Sequence, residues 1–292
     1  MIAAVVVFLL VDAVLVVVAL NRDDSALGSQ TPAPIPTFGS APTSSPSPTP
    51  SAPPAPEAAP RFMVAQTETV GWRATRGGCD GLDSVVEVTE DGGTTWERLN
   101  PPELHQLVGM TSSSTSTVRL LGRAGSSCAV GSFASFTGGQ FWNFYPGATG
   151  EFVFLDPDSP TVVHSEGSSV LAPCAANEVH TRGDSIAASC DDQFLERDGT
   201  TGAWLSIAAP GLLAFTPSDT GYMLALSGVE GCPGISVQSL ASPVGSVVPT
   251  VLGCLAEETT PVEATIATAG STIWLWSADR VLVSSDSGAT WQ

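Results

Sequence analysis

Two stretches of this chain repeat one pattern: "VTEDGGTTWERL" from Val88 to Leu99, and "VSSDSGATWQ" from Val283 to Gln292. The shared form, S/T-x-D-x-G-x-T-W, is filled by Thr89, Asp91, Gly93, Thr95 and Trp96, and again by Ser284, Asp286, Gly288, Thr290 and Trp291. Each position suits a tight hairpin. An Asp carboxylate accepts N–H bonds within its own turn, Gly supplies a positive φ, and a Thr hydroxyl ties the hairpin together. The Trp falls on the following strand, where its broad face packs against a neighbour. A calcium loop needs more closely spaced carboxylates than either copy has, so the motif implies no metal.

Repeats constrain architecture before anything else does. A weaker copy, "SFTGGQFW", sets Ser135, Gly139 and Trp142 in register, with Thr137 and Phe141 in place of Asp and Thr. A fourth, "ERDGTTGAW", keeps Asp198 and Trp204 around one extra residue. Around these lie short runs such as "STVRLLGRA", "EFVFLD", "YMLALSG" and "STIWLWSA", separated by Gly, Asp, Ser and Pro, with no amphipathic helix. That is the pattern of an all-β chain of short antiparallel strands. Trp96 and Trp142 are 46 residues apart, about one four-stranded propeller blade. The next interval, 62 residues to Trp204, fits a blade with an insertion, and the last, 87 to Trp291, fits two blades with one copy lost. The expectation is a β-propeller of about five blades. The chain stops where an outer strand should begin, so "RFMVAQ", Arg61 to Gln66, is expected to supply it, unless blades are missing from a truncated chain.

These residues resemble the Asp-box, or BNR repeat, of sialidases, sortilin-type receptors and photosystem II stability factor propellers. The resemblance spans Arg61 to Gln292 and implies propeller architecture rather than one activity. For a sialidase it implies three arginines on a carboxylate, a Tyr nucleophile paired with Glu, and a Phe-Arg-Ile-Pro motif. "PRFMV" at Pro60 to Val64 is not that motif. The catalytic candidates would be Arg119, Arg182 and Arg280 with Tyr222 and Glu230, Tyr145 being the other tyrosine. Arg119 and Arg280 read more simply as surface residues at strand ends. No G-x-S-x-G elbow is present, and His105, His164 and His180 lack ligand spacing. No cofactor is expected. Among aromatic residues, Trp72, Phe141, Trp142, Phe144 and Tyr145 read as core between blades. Trp274 and Trp276 share one face of a strand, with Leu275 opposite, and are the best candidates to stack a ligand.

The segments before the repeats place the domain. Residues 1–21 hold the apolar run Ile2 to Leu20, broken only by Asp12 and about 28 Å long as a helix, a transmembrane anchor or uncleaved signal. Residues 22–60 are rich in Pro, Ala, Ser and Thr, a composition that makes an extended, disordered spacer. Six cysteines, Cys79, Cys128, Cys174, Cys190, Cys232 and Cys254, follow without a CxxC pair, which favours disulfides in an oxidising compartment over zinc. Fifteen pairings are open; near neighbours favour Cys174 with Cys190 and Cys232 with Cys254, leaving Cys79 with Cys128. With 29 acidic against 10 basic residues the net charge is −19, which repels nucleic acid. Lysine-free, alanine-rich usage fits a high-GC bacterium. The expected protein is a single-pass membrane protein with its propeller outside the cytoplasm. Its propeller is a non-catalytic binding or assembly module for a cell-envelope glycan or exported protein, with a sialidase-type exo-glycosidase as the alternative.

Overall fold

The computed structural model describes residues 60–245, 247–257 and 263–292. The apolar run and nearly all of the Pro-rich segment lie outside them. Among the described residues no helix is long and apolar enough to cross a membrane.

Twenty-two strands form six antiparallel sheets. Blade one holds β1 (Arg61–Ala65), β2 (Gly71–Thr75), β3 (Val85–Thr89) and β4 (Glu97–Leu99). Blade two holds β5 (Leu104–Ser114), β6 (Thr117–Ala124), β7 (Ala129–Ser135) and β8 (Asn143–Pro146). Blade three has only β9 (Phe154–Asp156), β10 (Ser159–Ser165) and β11 (Ser168–Leu171). Blade four holds β12 (Glu178–Arg182), β13 (Ser185–Cys190), β14 (Gln193–Asp198) and β15 (Leu205–Ala208). Blade five holds β16 (Leu212–Ser218), β17 (Gly221–Ser227), β18 (Ile235–Ala241) and β19 (Thr250–Leu255). Blade six holds β20 (Ala264–Ala269), β21 (Thr272–Ser277) and β22 (Arg280–Ser284). In each sheet the order follows the chain. The strands nearest the axis close a ring: β1 packs on β5 and β20, β16 lies between β12 and β20, and in blade three β9 reaches both β5 and β12. The protein is a six-bladed β-propeller.

Six blades replace the expected five for a physical reason. The interval between Trp142 and Trp204 holds all of blade three, whose turn after β10 keeps Ser165 and Gly167 but has no Trp. Ring closure also differs from expectation. Arg61–Ala65 pairs with β2 in full register as the innermost strand of blade one, so it completes no outer position. On blade six the chain's own Gln292 begins that position, exchanging backbone bonds of 3.1 and 3.0 Å with Val283.

Alternating inward residues fill the seams between blades. Trp72, Trp274, Tyr222, Phe133, Phe194 and Phe215 are fully buried there. Each motif tryptophan fills a seam: Trp96 against the blade-six cluster, Trp142 between blades one and two, Trp204 against blades three and four, and Trp291 between blades five and six.

Blade three departs from the others in direction. Elsewhere the hairpin joining first to second strand lies on one face, here called lower, with the motif turns: Gln66 donates to Ser112 O at the end of β5, and Gly92 N to Thr69 O. In blade three the β9–β10 turn lies on the upper face instead, where Asp158 pairs with Arg123 near the β6–β7 hairpin. Glu166, in the β10–β11 turn, lines a lower-face pocket with Asp184 and Asp198. Ser165 ends β10 as a buried hydroxyl, as Thr89, Ser135 and Ser284 end the third strands of blades one, two and six. Blade three therefore consists of second, third and fourth strands and lacks the first. Residues 147–153, which have turns but no strand, take the chain from the upper face to the lower in its place.

Candidate functional site

The motif turns show how the sequence builds the lower face. In the first, Thr95 N and Oγ1 donate to the Asp91 carboxylate at 2.9 and 2.6 Å, and Thr89 Oγ1 donates to it at 2.8 Å while accepting Gly93 N at 3.0 Å. The last copy repeats this, with Thr290 N and Oγ1 on Asp286 at 2.8 and 2.7 Å and Gly288 N on Ser284 Oγ at 2.8 Å. Gly93 and Gly288 have φ of 86° and 96°, so these turns need glycine. The donors stabilise the charged carboxylates: bonds from Thr95, then Thr89, hold Asp91 at about 2, and Thr290, then Ser284, hold Asp286 at about 2. In the weaker copy Thr137 Oγ1 takes the acceptor role, receiving Phe141 N at 3.0 Å. In the fourth copy Arg197 holds the turn instead, its Nε donating to Gly199 O at 2.9 Å and its guanidinium lying over Trp204. All of these groups are spent on folding.

Blade five has no motif, and its corresponding turn is held from next door. Glu196 on β14, 2% exposed, accepts Ser242 Oγ and Val244 N, both at 2.6 Å, and Tyr222 Oη at 2.9 Å. Nothing in "QFLERD" singled out Glu196 beyond a carboxylate at an inward-facing strand position.

The catalytic candidates are spread over four blades. Arg119, on β6, pairs with Glu151, while Arg182 at the lower end of β12 donates to Ser218 O and Asp219 O at 3.0 and 2.7 Å. Arg280 is exposed at the start of β22, and Glu230 lies in the loop before β18. Tyr222 is fully buried; burial, and then the Glu196 charge, push its pKa up, so the phenol stays protonated as a donor. Of the five, Arg182 and Tyr222 are near enough to interact electrostatically. Tyr145 is exposed on β8.

Trp274 and Trp276 correct the stacking expectation. They do share a face opposite Leu275, but that face is the seam between blades six and one, where they are 0% and 6% exposed. Trp274 sits edge-on to Trp96 and donates Nε1–H to Thr67 O at 3.1 Å, while the guanidinium groups of Arg61 and Arg73 cover Trp276. Neither offers a face to a ligand.

The three disulfides are Cys79–Cys128, Cys174–Cys190 and Cys232–Cys254, the pairing expected from the spacing. Cys79 and Cys128 join second-to-third-strand loops of blades one and two. Cys174 ties the crossover from blade three to the end of β13, and Cys232 ties the β17–β18 loop to β19. All three brace the upper face, just as the motif turns brace the lower.

What remains is the ring's centre. A cavity of about 380 Å³ runs along the axis, with walls that include Val108, Met110, Phe154, Val179, Leu213 and Ile266. Most charged groups lining it are paired: Arg61 with Glu263 at 3.2 Å, His180 with Glu178 at 2.9 Å, and Glu151 with Arg119. Arg76 is the exception. It follows β2, donates Nε–H to Leu107 O at 3.0 Å and lies over Phe62, and none of the ion pairs among the described residues includes it. Burial pushes its pKa down from the usual arginine value. A partly desolvated cation on the wall of this mixed polar and apolar cavity, which Thr111, Asn177, Thr181 and Thr265 also line, has the chemistry to receive an anion. Sequence reasoning missed it because "ATRGGC" reads as strand end and turn.

No family model and no curated protein matches the chain. Among solved structures it is similar to one described as "YCF48 bound to D1 peptide", with 15% identity, 81% of each chain covered and a TM-score of 0.30.

Proposed function

We propose that this protein is a membrane-anchored, extracytoplasmic binding or assembly module of the Asp-box type, and that it takes its ligand in the axial cavity. The observation that carries this reading is Arg76: a half-buried guanidinium, without a carboxylate partner among the described residues, on the wall of an axial cavity whose other charged groups are paired. The size suits a small ligand or the tip of a larger one. A cell-envelope glycan bearing a carboxylate and an acidic segment of an exported protein both match that chemistry. The apolar run at residues 2–20 would hold the chain in the membrane and the Pro-rich segment would space the propeller from it. Three disulfides fit a location outside the cytoplasm.

The full chain in detergent, screened against cell-envelope glycans and a displayed peptide pool, tests the reading. Arg76→Gln should weaken whatever the wild type retains by about 10–100-fold, the loss of one charge-assisted hydrogen bond of about 1.5–3 kcal/mol, while Tm falls by only a few degrees as the bond to Leu107 O is lost. Equal binding by the variant, or no retained ligand, contradicts it.

A further inference from the structure

Resting on that axial site, we infer that its ligand is an extended polypeptide segment of another protein, bound as the first strand of blade three. The observation is topological. Four sheets have four strands, blade six begins its fourth at Gln292, and in blade three the strand nearest the axis, β9, runs opposite to the first strands of the other blades, so a strand of their direction is missing beside it. β9 pairs with β10 along one edge; on the other edge no strand adjoins it among the described residues, and Phe152–Leu155 line the axial cavity. The backbone edge of β9 and the apolar side chains of Val108, Met110 and Val179 thus face a common space.

Strand dimensions agree with that space. At about 3.3 Å of rise, 4.8 Å of strand spacing and 10 Å of sheet thickness, one residue in a sheet fills about 160 Å³. A cavity of about 380 Å³ therefore encloses between two and three residues, and β9 is three residues long. The added strand runs antiparallel to β9, from the upper face to the lower. Its N-terminal end then lies at the rim near Arg76, where an acidic side chain completes the recognition. Backbone bonds to β9 supply affinity and alternate apolar side chains supply selectivity.

The occupant's origin is also constrained. The chain's own segment from Ser25 to Pro60 is crowded with prolines, which lack the N–H a central strand must donate. A second copy has no strand to lend, because every described strand is already paired within its own blade. A proline-poor segment of a different protein satisfies both limits.

Filling the position covalently provides the test. In the full chain, Ala148–Gly150 is replaced by six alternating threonines and valines closed onto β9 by an Asn-Gly turn, and in a control by eight glycines and serines. The filled chain is expected to melt about 3 °C or more above the control and to protect the Phe154–Asp156 amides from exchange. Ribosome-displayed random nine-residue peptides without proline should be retained by the wild type and not by the filled chain. Alternate N-methylation of a retained peptide should weaken it at least tenfold. Equal melting of filled and control chains, or equal peptide retention by filled chain and wild type, overturns the inference. Loss of binding in Arg76→Gln alongside full binding by the filled chain would leave the axial reading standing and remove the strand.

Discussion

Removing the Glu196 carboxylate should loosen blade five from blade four. Glu196→Ala leaves three donors, Tyr222 Oη, Ser242 Oγ and Val244 N, without their acceptor at a site 2% exposed. An unsatisfied buried donor costs about 1–3 kcal/mol, so with partial rehydration the total is about 3–6 kcal/mol, a large part of the roughly 5–15 kcal/mol that holds a domain folded. For a propeller of this size that lowers Tm by roughly 10 °C. Glu196→Gln is far milder, at about 1 kcal/mol, because its amide oxygen still accepts Val244 N while the hydroxyls turn to accept from its NH2. Urea and thermal unfolding, run also on Tyr222→Phe and the double variant, measure the coupling. If Glu196→Ala melts with the wild type, or if Gln costs as much as Ala, the turn of blade five is held by something else.

Acid should act on the motif turns. Asp91 and Asp286 are held at about 2 against an ordinary 3.8, so their stabilisation is full above about pH 4 and lost as pH falls towards 2. Tm followed from pH 6 to pH 2 should fall in that window, and less so for Asp91→Asn with Asp286→Asn; identical acid limbs would contradict it. Thiol titration should find no free thiol before reduction and six after. Opening Cys79–Cys128, which spans 49 residues, should cost about 4 kcal/mol, against about 3 for the 16-residue Cys174–Cys190 loop. Unfolding of the two Cys→Ser pairs checks that order. A fluorogenic sialoside should survive incubation with the protein, because Tyr222 is enclosed and bonded to Glu196; turnover would revive the glycosidase reading.

Much of the architecture was legible because its signals are local. A hairpin turn needs its Asp, Gly and Thr within a few residues, so Asp91 and Asp286 announce themselves, and nearby cysteines pair within or between adjacent blades. What stayed hidden depends on contacts far apart in sequence. Blade three keeps Ser165 and Gly167 but neither Asp nor Trp, so it read as an insertion. Blade five's turn is held by Glu196 from another blade, which no local pattern records. Alternation along the strand places Trp274 and Trp276 on one face, but only the ring shows that the face is a seam. Arg76 becomes distinctive only when burial and the absence of a described carboxylate partner are seen together.

The most direct test is a structure of the full chain with the tightest-binding ligand retained from the glycan and peptide screens. The account predicts that ligand in the axial cavity, with an acidic group on Arg76 and, for a peptide, a strand antiparallel to β9. A ligand bound at an outer blade edge, with the axis unchanged, would contradict it.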